Sequence, residues 1–430
     1  MRSKKPFSVG KPTFVIFITL LLGSAIVPTQ AQARKFRVLH TFHGKDGANP
    51  VGVLIRDTAG NLYGTTGVGG GGSCSGGGGE GCGTVFKLNK TGTEVWLHKF
   101  GNAGGAIPYA GVWRDSRGNL FGTTIEGGDI GGCDPSYGCG VVFELNETGT
   151  KERALHKFTG GADGLMPEAL LVEDKAGNLY GTAPLGGRYG LGVVFKVAPN
   201  GRETILYNFA GGSDGCGPNP GVILDSAGNL YGVASGGGDS SCNSGHGVVF
   251  EVDPGGHETV LYTFGGGDGA IPNSVLLFDS MGNLYGTTEY GGSSSECGGL
   301  GCGTVFELSP RSGGGWSESV LYNFCSLPNC TDGERPVTGP LVRDSAGSLY
   351  GTTIFGGNPK LCNGSCGVVF KLESNGKETV LHTFTGGSDG AVPFAGLVAD
   401  DQGNLYGTTQ EGGAACYGSY TCGVVFKISP

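Results

Sequence analysis

The sequence predicts an all-β fold: a seven-bladed β-propeller of four-stranded blades, closed by the N-terminal strand pairing with the last blade. Three observations carry this. A phrase of the type GNLYGTT begins seven times, at Gly60, Gly118, Gly177, Gly228, Gly282, Gly347 and Gly403. Each copy is followed by a phrase of the type GTVFKL, from Gly83 in the first unit to Gly423 in the last, which gives units of propeller length. The chain also carries an LHTF-type strand before the first unit and stops just after a GVVFKI strand. The last unit is therefore one strand short, and the spare N-terminal segment can complete it and remove an exposed edge.

The elements follow in chain order. Arg2, Lys4 and Lys5 precede an apolar run from Phe14 to Val27 and the small-residue site Ala31-Gln32-Ala33, so residues 1–33 read as a cleaved secretory signal and residues 34–430 as one propeller domain. The run is shorter than the ~20 residues of a spanning helix. The first unit then shows RVLHTF at 37–42, GVLIRD at 52–57, NLYGTT at 61–66 and GTVFKL at 83–88, all β-branched or aromatic and bounded by Gly, Pro, Asn or Asp. Asp-x-x-Gly joins the second and third segments in every unit, from Asp57–Gly60 to Asp400–Gly403. The Asp side chain accepts from nearby backbone and the Gly supplies the positive φ of a tight hairpin. A β-helix is the competing fold, but ~57 residues per unit is long for one coil.

Glycine, 90 of 430 residues, punctuates this pattern rather than diluting it. A net charge of −9, with no Lys/Arg cluster beyond the signal, excludes a broad nucleic-acid or anionic-membrane surface. No second long apolar segment follows the signal, so a secreted, soluble monomer is expected, extracellular or periplasmic. The fourteen cysteines fall into close pairs, Cys74/Cys82, Cys133/Cys139, Cys297/Cys302, Cys325/Cys330, Cys362/Cys366 and Cys416/Cys422, with Cys216 and Cys242 left to meet on the same face. Disulfides are expected, since spacings of the Cys-x-x-Cys type are missing. They would pin the loops that surround one mouth of the central channel.

The combination of GNLYGTT, GTVFKL, LHTF and the linking DGANP resembles the GloVer-type tandem-repeat proteins, secreted or surface proteins of bacteria. The Asp-x-x-Gly-Asn-hydrophobic-Tyr hairpin is similar, more distantly, to those of NHL-type and gluconolactonase-like propellers. The resemblance implies a secreted repeat propeller and carries no reaction with it.

Positions shared by all units build the scaffold, so a site is expected where units differ on the loop-bearing face. His40, His98, His156 and His382 share one strand position with Tyr207, Tyr262 and Tyr322 and read as aromatic packing. The crossing-loop acids Asp46, Asp163, Asp214, Asp268, Asp332 and Asp389 read as turn residues; a carboxylate ring for Ca²⁺ is the alternative, without the dense ligand spacing of a dedicated loop. No cofactor is otherwise indicated. Candidate binding residues are Tyr109, Glu168, Asn273 and Phe394, directly after the crossing-loop proline, and Glu126, Glu289, Tyr290, Phe355, Gln410 and Glu411, after the third strand. Aromatic faces among carboxylates and amides suit an extracellular glycan or protein. Three function classes follow: a binding module, a lactonase- or polysaccharide-lyase-like enzyme resting on Glu126, Glu168, Glu289 or Glu411, and a structural surface repeat.

Overall fold

Cross-strand register explains the most repeated letters. The computed structural model describes residues 1 and 35–430 except 73, 75–80, 102–103, 129–132, 134–136, 239–240, 337, 363–365 and 418–419; the expected signal at 1–33 lies outside the described residues, apart from residue 1. Leu62–Thr66 pairs antiparallel with Thr84–Leu88, which sets Gly64 opposite Phe86. The same pair recurs as Gly122/Phe143, Gly181/Phe195, Gly232/Phe250, Gly286/Phe306, Gly351/Phe370 and Gly407/Phe426. A Cβ on any of these glycines would sit 2.5–2.8 Å from the ring Cζ. Each ring can fold back across its partner strand only because no side chain stands there.

Seven sheets follow from this register, as the sequence predicts. Blade 1 runs from an inner strand, Ile55–Arg56, through Leu62–Thr66 and Thr84–Leu88 to an outer strand, Glu94–Lys99. Blades 2 to 6 repeat that order; in blades 5 and 6 the inner strand is split into two segments. Blade 7 consists of Val398–Ala399, Leu405–Thr409, Val424–Ser429 and the N-terminal strand Lys35–Thr41, which pairs from Lys35↔Ser429 to Thr41↔Val424. The ring therefore closes as expected. Most inner strands are shorter than the sequence suggests: of 52–57 only Ile55–Arg56 is regular, whereas in blade 4 the inner strand runs over Cys216–Leu224. Their first halves face the neighbouring inner strand instead, as where Leu170 N donates to Pro220 O at 2.8 Å, or where a Cβ on Gly111 would lie 2.3 Å from Val53 O.

Between blades the contact is aromatic. The outer-strand Phe of one blade meets the third-strand Phe of the next, edge to face, in Phe42–Phe86, Phe100–Phe143, Phe158–Phe195, Phe209–Phe250, Phe264–Phe306, Phe324–Phe370 and Phe384–Phe426, with centroids 5.0–5.3 Å apart. All of these rings are buried. Each pair contributes ~0.5–1.5 kcal/mol beyond the area it removes from water. On the opposite edge of the blade the Asp-x-x-Gly turns close as expected: Asp57 accepts from Asn61 N and Nδ2 at 2.8 Å and from Tyr63 Oη at 3.0 Å. Burial pushes the Asp57 carboxyl up, but these hydrogen bonds outweigh it and hold the group below its usual range.

A polar layer lies beside each phenylalanine pair, and it adds to two expectations: the crossing-loop acids accept from turn backbone, as His43 N donates to Asp46 Oδ1 at 2.7 Å, and also bond a ring from the outer strand. The His or Tyr two positions before the outer-strand Phe packs edge-on to that ring, as expected, but it also bonds the crossing-loop Asp: His40 with Asp46 at 3.0 Å, Tyr207 with Asp214 at 3.0 Å, Tyr322 with Asp332 at 2.8 Å, His382 with Asp389 at 3.1 Å, and Tyr262 with Asp268. These carboxylates are committed singly, one to each seam. Where Gly104 and Gly105 replace the acid, Glu152 of the next blade takes its place against His98 at 3.0 Å, in the space a Cβ on Gly104 would need. The glutamate equivalent to Glu152 recurs as Glu94 and Glu203 and as the three residues Glu258, Glu318 and Glu378. Burial first, and then the charge of Asp214, Asp268 or Asp332, pushes each of the three up to about 7.

Two predictions follow from this packing. Gly286→Ala should lower the unfolding free energy by ~1–3 kcal/mol through overpacking against Phe306, whereas Gly282→Asn, in a turn at φ +85° with no neighbour within 4 Å, should change it by less than ~0.5 kcal/mol; urea midpoints measure both. Glu258, Glu318 and Glu378 keep their protons up to about pH 7 in the folded chain but release them from about 4.5 when unfolded. Raised carboxyl pKa values stabilise fully below the unfolded value and lose that contribution as pH rises through the folded one. Melting should therefore occur at a higher temperature near pH ~5.5 than near pH ~8.5, and the triple variant Glu258→Gln, Glu318→Gln, Glu378→Gln should narrow the gap; an unchanged gap would assign it to other groups.

Candidate functional site

The route into the channel is set by a strained residue that the sequence does not advertise. Before each crossing-loop proline, the backbone adopts a left-handed conformation, at Asn49, Ile107, Met166, Gly217, Ile271, Arg335 and Val392, with φ between 54° and 63°. Such φ values are costly for branched side chains. The return is a hydrogen bond across the seam: Ile107 N donates to Cys82 O at 2.9 Å, and Ile271 N to His246 O at 2.9 Å. The proline then packs where a Cβ on the glycine opening the previous blade's third strand would stand, as Pro108 does 2.6 Å from that position at Gly83. The next residue is delivered to the axis.

Five of those residues converge, Val51, Tyr109, Glu168, Asn219 and Phe394, whereas Asn273 stays outside the cavity and hydrogen-bonds Glu289. A narrow cavity of about 30 Å³ on the axis takes lining from all seven blades, through Val51, Tyr109, Glu168, Asn219, Val275, Thr338 and Phe394. Tyr109 and Phe394 meet edge to face at 5.7 Å. Asn219 Nδ2 donates to Glu168 Oε2 at 3.0 Å. Burial raises the Glu168 carboxyl, opposed by that hydrogen bond, and burial together with the Glu168 charge raises the Tyr109 hydroxyl. Asn219 occupies the same post-proline position as Glu168 and Asn273; that position is the sequence signal that could have found it.

A second group lies on the rim of blades 5 and 6. Burial raises the Glu289 carboxyl, opposed by the charge of Arg335 and a hydrogen bond from Asn273. The Arg335 guanidinium lies 4.6 Å from the Tyr290 ring centroid and 5.4 Å from that of Phe355. Arg335 holds the strained pre-proline position, and only the fold shows that its side chain falls between these rings. Glu126, Gln410 and Glu411 do not line the axial cavity. Their backbones bridge to the crossing loops instead, Glu126 N to Ala106 O at 3.0 Å, Gln410 N to Val392 O at 2.9 Å and Glu411 N to Ala391 O at 3.0 Å.

The cysteines pair as the sequence predicts. All fourteen cysteines are paired: Cys74–Cys82, Cys133–Cys139, Cys216–Cys242, Cys297–Cys302, Cys325–Cys330, Cys362–Cys366 and Cys416–Cys422. Closing each short loop stabilises by roughly 2–3 kcal/mol in the chain-entropy model. Among the described residues no helix is long and apolar enough to cross a membrane.

Comparison with known proteins places this architecture. Virginiamycin B lyase from Staphylococcus aureus matches with a TM-score of 0.54 at 12% identity, over 92% of this chain and 99% of that one. The extracellular domain of a hybrid two component system from B. thetaiotaomicron matches with a TM-score of 0.53 at 13% identity, over 92% of this chain and 41% of that one. A gluconolactonase from Xanthomonas campestris gives 0.41 at 15% identity, over 74% and 84%. At such identities the likeness is one of fold. No curated protein matches. The model of the Gloeobacter/Verrucomicrobia repeat matches residues 71–300 and 295–430, which contain six of the seven GNLYGTT-type phrases, and the chain belongs to that family.

Proposed function

We propose that the protein is a secreted propeller enzyme of lyase type that acts on an extracellular acidic carbohydrate at the mouth of the axial cavity. The observation that carries this reading is the Glu168–Asn219 pair beside Tyr109, in a cavity to which every blade contributes. A carboxyl raised by burial and oriented by an amide is suited to taking and returning a proton. Arg335, fixed between Tyr290 and Phe355, supplies the positive charge that would neutralise a sugar carboxylate and so ease removal of the adjacent C–H proton. In such an elimination the C–H electrons form the new double bond, the glycosidic C–O bond breaks, and the leaving oxygen is protonated. The fold shared with virginiamycin B lyase supports the class by analogy alone. Residues 34–430 would be the mature chain, with its disulfides formed outside the cytoplasm.

A second reading is a binding module without chemistry. The edge-to-face pair Tyr109–Phe394 and the rings flanking Arg335 favour it, as preformed apolar faces on which sugar rings stack. The test is a panel of uronic-acid polysaccharides, followed by the absorbance of unsaturated products. Turnover should fall by ~10²–10⁴-fold in Glu168→Gln with little change in melting temperature. Glycan-array binding that is lost in a Tyr290→Ala, Phe355→Ala variant, with no turnover on any panel member, would replace the enzyme by the binding module.

A further inference from the structure

The seam between blades 2 and 3 departs from the other histidine seams. His40, His98 and His382 each approach one carboxylate oxygen at 3.0–3.1 Å, an ordinary hydrogen bond. His156 does not. Its Nε2 stands 3.5 Å from Asp163 Oδ2 and 3.6 Å from Glu203 Oε2, too far for a good hydrogen bond to either, and a single N–H could not be aimed at both. His156 Nε2 and Glu203 Oε1 are both buried without a hydrogen-bond partner. The three side chains are only 11–17% exposed, and one ligand atom from each lies within 4.8 Å of the others.

These separations have a simple chemical meaning. A zinc ion bound at ~2.0–2.2 Å in tetrahedral geometry holds its ligand atoms roughly 3.3–3.6 Å apart, which is the spacing His156 keeps from both carboxylates. One imidazole and two carboxylates form a donor set suited to zinc. Asp163 is already oriented from behind: Thr159 N donates to Oδ2 at 2.8 Å and Thr159 Oγ1 to Oδ1 at 2.7 Å. Among the described residues no other seam offers the same set in this state. Tyrosine replaces histidine at 207, 262 and 322, Gly104–Gly105 replace the acid beside His98, and Phe36 replaces the glutamate and stacks on His382 at 3.8 Å. The first seam has His40, Asp46 and Glu94, but His40 is bonded to Asp46 and Glu94 is exposed.

We propose that His156, Asp163 and Glu203 form a zinc site that ties blade 2 to blade 3, with the fourth position left to water. The ligands come from the outer strand of blade 2, Glu152–Lys157, from the crossing loop behind it, and from the outer strand of blade 3, Glu203–Asn208. The site stands apart from the axial cavity, so it is independent of any reaction there.

The experiment uses the untagged secreted protein, loaded with zinc, dialysed against zinc-free buffer and assayed for bound metal by mass spectrometry. Wild type and His40→Gln should retain zinc and melt at a higher temperature with it, whereas His156→Gln and Glu203→Gln should bind at least ~10-fold more weakly. Replacing zinc by Co²⁺ in the wild type should give the intense visible absorption of a tetrahedral site, a readout that needs no variant to fold. Folded wild type that retains no zinc and gives no such absorption overturns the proposal. So does undiminished retention in a folded His156→Gln variant.

Discussion

Everything in this propeller hangs on a ring seated where a glycine has no side chain. The third-strand phenylalanine of each blade lies over the glycine of the second, as Phe306 lies over Gly286, and in that posture presents its edge to the outer-strand phenylalanine of the blade before. The centroid distance varies by only 0.3 Å among the seven seams, from 5.0 to 5.3 Å. A contact this uniform fixes the blade-to-blade step, and close-packed interiors tolerate little deviation from it. Because the step is fixed deep in the sheets, the loops are free of that duty. They differ in length, carry the disulfides, and present Tyr109, Glu168, Asn219 and Arg335 without altering the frame beneath.

Much of this frame is written locally. Alternation of apolar residues, the Asp-x-x-Gly hairpins and the paired cysteines act over a few residues, so the strands, the turns, the seven disulfides and the closing strand are all legible in the sequence. The seams are not. His156 and Glu203 are 47 positions apart in sequence and meet only after two blades dock, so reading the histidine from its own strand shows its packing and misses its carboxylates. The axial site is half legible for the same reason. The post-proline position marks Tyr109, Glu168, Asn273 and Phe394, but the pairing of Glu168 with Asn219, and of Glu289 with Arg335, requires neighbouring blades to be in place. Glu126 and Glu411 follow the third strand just as Glu289 does, yet their backbones serve the loop bridges at Ala106 and Ala391.

The strained pre-proline residues show how local cost and global gain are balanced. A left-handed conformation at Ile107, Ile271 or Val392 runs against the preference of a branched side chain by ~1–3 kcal/mol. Its recurrence in every blade identifies it as part of the design rather than a local accident. It turns an N–H toward the previous blade and aims the next side chain at the axis, so the same backbone feature joins blades and delivers the residues of the candidate site.

Closure by Lys35–Thr41 on Val424–Ser429 has a consequence for how the molecule comes into being. The two halves of blade 7 are separated by nearly the whole chain, and the entropy of bringing such distant segments together must be met before their contacts give anything back. A chain emerging from its N-terminus can complete six blades in order, but it must hold its first strand unpaired throughout, an open edge able to recruit other strands. The last blade can form only once the final strand has arrived. Ring closure is thus timed by the arrival of Val424–Ser429, and a nascent propeller is most vulnerable to misassembly just before that strand is made.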